Sequence, residues 1–127
     1  MASTFRIQSH KIPTAYIREY PRATSTHQEE RLQLAIKQYT PLESPPANCR
    51  PEHAITLIGA HANGFPKELY EPLWEDLLPL LRERGVWIRG IWIADVAHQG
   101  ESGVLNEDLL GNDRTYLRQS LNGLSTF

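Results

Sequence analysis

Hydrophobic and polar residues alternate over Arg31–Tyr39, where three aliphatic side chains at every second position fall on one face. A period of two over this length predicts a half-buried strand. Two runs of strand-forming residues precede it, at Phe5–Gln8 and at Thr14–Tyr20. Successive strands of this kind predict an antiparallel pair within the first part of the chain.

A second pattern begins at Ala54–Gly59, which is apolar on both faces and predicts a strand covered on both sides. A helix is predicted over Pro66–Arg84, with a short first turn, a main helix starting near Pro72 and Gly85 placed to cap its end. Its apolar face is predicted from leucines at three- and four-residue spacing, namely Leu73, Leu77, Leu80 and Leu81. Val86–Val96 is a second strand of the buried type. Strand, helix and strand in this order predict one right-handed βαβ crossover.

The segments between these elements are rich in residues that break regular structure. Thr40–Glu52 holds four prolines and is expected to be a surface loop, whereas Ala97–Asn112 is polar, rich in glycine and also expected to be a loop. Asp113 is a candidate N-cap for a weak helix in the tail. We therefore expect one partial α/β domain over 1–127, made of N-terminal strands (1–40), a proline-rich loop (41–53), a βαβ unit (54–96), and a loop and tail (97–127).

Composition narrows the class of protein. The chain has 127 residues, 40% of them hydrophobic and 22% charged, and a formal net charge of −2. These values are typical of a globular domain and indicate neither a nucleic-acid surface nor a polybasic membrane anchor. No run of apolar residues is long enough for a signal peptide or a membrane span. Cys49 is the only cysteine, so we expect a reduced, cytoplasmic protein without an internal disulfide.

The first candidate for chemistry is the turn His61–Pro66, which lies directly between a predicted strand and a predicted helix. Backbone N–H groups in such a turn suit an anion, or an oxygen that becomes negative during a reaction. Gly64 permits a backbone geometry that a side chain would block. The same residues allow a simpler interpretation, in which Asn63-Gly64 only forms the turn and His61 packs beneath it.

The second candidate is the run Asp-Val-Ala-His-Gln-Gly-Glu-Ser at residues 95–102, directly after the next strand. Taken alone it is a polar loop with a glycine, and His98 is then a surface histidine. The two candidates together resemble the α/β-hydrolases, whose third strand ends in a His-Gly type turn. Their fourth strand is followed by an Asp-x-x-Gly-His-Gly-x-Ser type loop. Asp95, Gly100 and Ser102 match these offsets, with His98-Gln99 where Gly-His is usual.

The segment Ile55–Asn112 is most similar to fungal esterase- and lipase-like hydrolases, including those of toxin and other secondary-metabolite pathways. The resemblance implies that backbone N–H groups of Asn63, Gly64 and Phe65 form part of an oxyanion hole, and that His61 orients this turn through hydrogen bonds. It also implies a structural loop near the site, formed by Asp95, His98, Gly100 and Ser102.

The resemblance also implies catalytic residues that the sequence lacks. The superfamily needs a G-x-S-x-G nucleophile elbow, and the acid and histidine of its triad come later still. No such elbow occurs in these 127 residues, because Ser102 has its glycines one residue too close and Ser120 lacks the preceding glycine. A Ser102–His98 pair is the remaining alternative. No catalytic residue is identified, and we expect no turnover by this chain alone.

Neither a metal nor a cofactor is expected. His53 and His61 flank a strand and would lie roughly 25 Å apart along it, too far to share one ion. The implied function is ester or acyl hydrolysis of a small molecule in fungal toxin or secondary-metabolite biosynthesis, by a truncated family member. The C-terminal Ser-Thr-Phe lacks the peroxisomal Ser-Lys-Leu type signal that some relatives carry.

The alternative is a non-catalytic remnant or an assembly partner. The superfamily's sheet order places the third strand between the fourth and the fifth, and no fifth strand is predicted here. Strand Ile55–Gly59 would then have an open edge, which invites pairing with another copy or with a complete relative. A third interpretation, a small independent binding domain, requires the tail to cover the sheet.

Overall fold

A four-stranded mixed sheet organises the chain in the computed structural model, which describes residues 3–15, 22–27 and 29–111. The strands are β1 (Phe5–Pro13), β2 (Gln33–Pro41), β3 (Ile55–Ala60) and β4 (Ile88–Ala94). Two helices follow β3 and β4, namely α1 (Glu71–Glu83) and α2 (Gly100–Asn106). Short 3-10 turns occupy Pro51–His53 and Lys67–Tyr70.

The sheet order is β1-β2-β4-β3, so β4 is central. β1 pairs antiparallel with β2, β2 pairs antiparallel with β4, and β3 runs parallel to β4. The predicted antiparallel pair and βαβ unit are thus both confirmed. The partner of β2 is the first predicted strand, extended to Pro13. Thr14 and Ala15 are not strand, and the rest of the strand predicted at Thr14–Tyr20 lies outside the described residues.

Two core clusters lie on opposite faces of the sheet, since neighbouring residues of a strand alternate between faces. On one face, Trp74 and Leu78 of α1 pack against Ile91 and Ile93 of β4. On the other face, aliphatic residues of β2 pack against Ala94 and Ala97. β4 is therefore covered on both faces, as its apolar sequence predicts.

The predicted helix is present with its expected start and a shifted apolar face. Its first turn is 3-10 at Lys67–Tyr70, and α1 follows from Glu71. Leu73 and Leu80, expected in the core, are exposed because Trp74 and Leu78 face the sheet instead. Gly85 ends the helix with a φ of 74°, and its N–H donates to the Arg82 carbonyl, as predicted.

The prediction that β3 is covered on both faces is wrong for the described residues. Leu57 packs toward α1, and a Cβ added at Gly59 would lie 3.3 Å from the Trp74 ring. Ile58 points to the opposite face and is 56% exposed. β3 lies at the edge of the described sheet, and only its α1 side is covered.

The prediction of a loop throughout Ala97–Asn112 is also wrong, because α2 forms within it. Glycines at positions 100 and 103 make this seven-residue segment a poor helix by propensity. Buried Ser102 and Asn106 bond to the backbone of β2, so tertiary contacts override that propensity. The prediction of a helix starting at Asp113 lies outside the described residues.

Candidate functional site

The β3 turn (61–66) and the β4 turn (95–99) meet at the carboxyl ends of the two parallel strands. The Val96 N–H donates to Nε2 of His61 at 2.9 Å. Nδ1 of the same ring lies 2.9 Å from the Ala62 carbonyl oxygen. Because Nε2 accepts, the proton sits on Nδ1, which donates to that carbonyl. His61 thus stabilises its own turn and links it to the turn of the neighbouring strand.

Gln99 makes a second link between the turns. Its Oε1 accepts the Gly64 N–H at 2.9 Å, and its Nε2 donates to Oδ1 of Asn63. Nε2 also lies 3.2 Å from Nε2 of His98. Within the β3 turn, the Phe65 N–H donates to the Ala62 carbonyl at 3.0 Å. Two of the three N–H groups implied as oxyanion donors, those of Gly64 and Phe65, are therefore engaged within the protein.

The Asp95 carboxylate lies beneath both turns and is completely buried. Its Oδ1 accepts the Lys67 N–H at 3.0 Å, and its Oδ2 accepts the Glu101 N–H at 3.0 Å and the Lys67 ammonium at 2.6 Å. Gly100 has a φ of 53°, and a Cβ there would lie 2.5 Å from the carboxylate carbon. The glycine of the Asp-x-x-x-x-Gly spacing therefore leaves room for this carboxylate.

Lys67 is a buried cation that the sequence pattern did not identify as part of the site. Its ammonium contacts Asp95, and it also lies 3.0 Å from Glu68 and 3.3 Å from Glu101. Burial alone would lower the pKa of Lys67, but the hydrogen bonds to Asp95 and Glu68 outweigh it and raise that pKa. Burial alone would raise the pKa of Glu68, but its hydrogen bonds to Lys67, Lys37 and the backbone, together with the charge of Lys67, lower that pKa. Both shifts favour the ionised forms of Lys67 and Glu68.

The Ser102 side chain makes two hydrogen bonds to the backbone. Its hydroxyl donates to the Asp95 carbonyl at 2.8 Å and accepts the Ala35 N–H at 2.8 Å, and the residue is fully buried. The hydroxyl hydrogen is thus directed at a carbonyl rather than at an imidazole. Asn106 acts similarly, accepting the Gln33 N–H at 2.7 Å and donating to the carbonyls of Gln33 and Ala97. Both side chains attach α2 to β2.

His98 is half-buried beside this network. Burial is the main cause that lowers the pKa of His98, and the electrostatic interaction with the neighbouring His61 ring lowers it further. A neutral His98 can accept a hydrogen from the Gln99 amide, which suits the observed contact.

Two classes of site receive no support from the described part of the chain. No group of three or more histidine, cysteine, aspartate or glutamate residues among residues 3–15, 22–27 and 29–111 is arranged to hold a metal ion. Within the same ranges, no helix combines the length and apolar character needed to cross a membrane.

No protein-family model matches the chain. Among solved structures, it superposes on the peroxisomal alpha-beta-hydrolase Lpx1 from Saccharomyces cerevisiae with a TM-score of 0.72 and 21% sequence identity. The match covers 98% of this chain and 32% of that one. The chain has the fold of part of an α/β-hydrolase.

Similar curated proteins of greater length occur in Penicillium. The chain is 50% identical over 113 residues to the type I acyl-CoA thioesterase mpaH of Penicillium roqueforti, and 47% identical to mpaH' of Penicillium brevicompactum. Each match covers 89% of this chain, which spans 25% of the length of each relative. The predicted resemblance to fungal α/β-hydrolases is confirmed.

The structure brings together the residues that the resemblance singled out. The β3 turn carries His61, Asn63, Gly64 and Phe65, and the segment after β4 carries the remaining predicted residues: Asp95, His98, Gly100 and Ser102. Sequence reasoning missed Lys67 and Asn106 and gave no role to Gln99. One signal was available for Lys67, because it and Asp95 follow two strands predicted to be parallel, and such strands end at the same edge.

Proposed function

We propose that this chain supplies the acyl-oxygen-binding segment of a fungal α/β-hydrolase acting on small-molecule acyl thioesters or esters in secondary metabolism. The observation that carries the proposal is the β3 turn, which Val96 and Gln99 hold in place through His61 and Gly64. In α/β-hydrolases the loop after the third strand supplies one N–H of the oxyanion hole. The names of the Penicillium relatives support an acyl substrate.

The chemistry assigns this turn a role in charge stabilisation. When a serine oxygen attacks an acyl carbon, the carbonyl oxygen gains negative charge, and backbone N–H groups stabilise it. The thiolate or alkoxide then leaves as the carbonyl re-forms, and water releases the acid. One such donor contributes on the order of 100- to 1000-fold in rate. We assign the attacking serine to no residue of this chain, since the Ser102 hydroxyl is bound to the backbone, and we propose that the chain alone does not turn over.

Two measurements test this function. Adding acetyl-CoA to the isotope-labelled chain should shift the amide resonances of residues 61–66, whereas coenzyme A, which lacks the acyl oxygen, should leave them in place. Hydrolysis of p-nitrophenyl acetate should equal that of buffer. Ester hydrolysis that disappears in Ser102→Ala would overturn the proposal, as would amide shifts confined to other parts of the chain.

A second candidate function is assembly through β3. β3 is bonded on one side only within the described sheet, and Ile58 and Ile55 are 56% and 38% exposed. An apolar edge of this kind pairs readily with another strand. We propose a second copy of this chain as the occupant, joined edge to edge.

Sedimentation velocity tests the assembly. The chain should show a concentration-dependent dimer, and Ile58→Lys should shift it to monomer because a lysine on an edge strand opposes pairing. Val104→Lys is the matched control, since Val104 is 70% exposed on α2, away from that edge. A monodisperse monomer that unfolds cooperatively would refute this candidate.

A further inference from the structure

The contact between Gln99 and Gly64 involves an N–H group of the turn to which the proposed function assigns acyl binding. The group bound to the Gly64 N–H is the side-chain carbonyl oxygen of Gln99. A carboxamide oxygen and an acyl oxygen are the same kind of acceptor. The Gln99 oxygen therefore already accepts the hydrogen bond from the Gly64 N–H that an acyl oxygen would need.

Three contacts hold the Gln99 carboxamide in this position. Its oxygen accepts from Gly64, and its nitrogen donates to Oδ1 of Asn63 and lies 3.2 Å from Nε2 of His98. Both N–H donors and one lone pair of the carbonyl oxygen are used, so the side chain has one preferred orientation.

The Gln99 backbone is fixed as well. Its N–H donates to the Val96 carbonyl at 3.0 Å, and its own carbonyl accepts the Gly103 N–H at 2.9 Å at the start of α2. A change in the side-chain torsions is thus the simplest way to release Gly64. Gly64 itself is exposed and has a φ of 79°, and nothing lies within 4 Å of the position a Cβ would take. Because Gly64 is exposed, its N–H becomes accessible to an incoming oxygen once the amide turns away.

We propose that Gln99 is a latch on the Gly64 donor, closed in the unliganded protein and displaced when an acyl oxygen binds. This inference rests on the proposed function, because it concerns access to the same N–H group. It makes Gln99 a positioning residue that sets how readily an acyl group enters. Counting only the bond to Gly64, the cost of opening is close to the net value of one hydrogen bond, which corresponds to about a fivefold change in affinity.

Hydrogen exchange of the Gly64 amide tests the closed latch without any ligand. Gln99→Ala should speed this exchange about fivefold relative to the unmodified chain. Gln99→Glu keeps an acceptor of the same length and should keep exchange slow, whereas Gln99→Asn, one methylene shorter, should not. Gln8→Ala, at an exposed position of β1, is the control. The amide resonances of α2 report whether each variant retains its fold.

Titration with acetyl-CoA, with coenzyme A as reference, tests the competition. Gln99→Ala should bind acetyl-CoA about fivefold more tightly, measured at the Gly64 amide, and Gln99→Glu should bind it more weakly than the unmodified chain. Unchanged Gly64 exchange in Gln99→Ala overturns the latch whatever the acyl result. Faster exchange with equal acetyl-CoA affinity overturns the competition. Faster exchange with no acetyl-CoA binding by either protein supports the closed contact and rejects the proposed acyl site, so the two failures are distinguishable.

Discussion

The Lys67 ammonium lies 2.6 Å from Oδ2 of Asp95, and the two side chains are 1% and 0% exposed. Asp95 also accepts the backbone N–H groups of Lys67 and Glu101. One buried ion pair therefore joins the segment after the β3 turn to the start of α2. Because both turns of the candidate site adjoin this pair, their relative position depends on it.

Removing the cation should destabilise the protein strongly. Lys67→Met leaves the buried Asp95 carboxylate without its counter-charge, which costs about 3–5 kcal/mol. Lys11→Met makes the same replacement at an exposed position of β1 and should change the free energy of unfolding by less than about 0.5 kcal/mol. Urea unfolding followed by circular dichroism measures both variants. Equal effects in the two would show that the ion pair contributes nothing specific.

A methyl group at position 100 should be poorly tolerated. Gly100→Ala places a Cβ 2.5 Å from the Asp95 carboxylate carbon, at a backbone φ of 53°. The strain and overlap together should lower the free energy of unfolding by more than about 2 kcal/mol. At Gly85, which has a φ of 74° and open space around it, alanine should cost about 1 kcal/mol. If the two losses match, the Asp95 contact is not the constraint.

Ser102 should prove to be a stabilising residue. In Ser102→Ala the buried Ala35 N–H loses its acceptor, which costs about 1–3 kcal/mol. Ser9→Ala, at an exposed position of β1, should be neutral within about 0.5 kcal/mol. Thermal unfolding of both variants at one protein concentration checks this. A neutral Ser102→Ala would contradict the assignment.

The stability of the protein should fall as the pH drops through the range in which histidine titrates. The folded pKa of His98 lies below its ordinary value of 6.5, so the unfolded chain binds more protons there. The stabilising contribution is present above pH 6.5 and is lost as the pH falls through the lowered value. His98→Gln should flatten the change in unfolding free energy between pH 7.5 and about 5.5. An unaltered slope in His98→Gln would refute the assignment.

Patterns of hydrophobic and polar residues predicted the strands and the helix that pack through apolar side chains. β2, β3, β4 and the helix before Gly85 follow from alternation, apolar runs and leucine spacing, because these patterns depend on which face is buried. α2 escaped prediction because Ser102 and Asn106 hold it through bonds to a strand more than 60 residues away in sequence. The exposure of Ile58 was also not predicted, since an apolar run shows that a strand can be buried but does not show which neighbour covers it.

The candidate site divides in the same way. The two turns were found from their positions after strands and from their similarity to a known family. The direction of the Gln99 amide and the burial of Lys67 depend on where two loops meet in space, which spacing along one chain does not encode. The Asp-to-Gly spacing in the β4 turn was recognised as a motif, and its physical basis is the room that Gly100 leaves for the Asp95 carboxylate.

The central position of β4 also constrains how the chain folds during synthesis. Ile36 pairs with Ala94, and Leu57 pairs with Ile91, so both halves of the sheet depend on a strand made after them. As the chain leaves the ribosome, β1 and β2 can pair early, because both are complete before β3 is made. β3 and α1 emerge before their docking surface exists. At about 5–20 residues per second, β3 remains without its partner for a few seconds, and this is when a chaperone would find it most exposed.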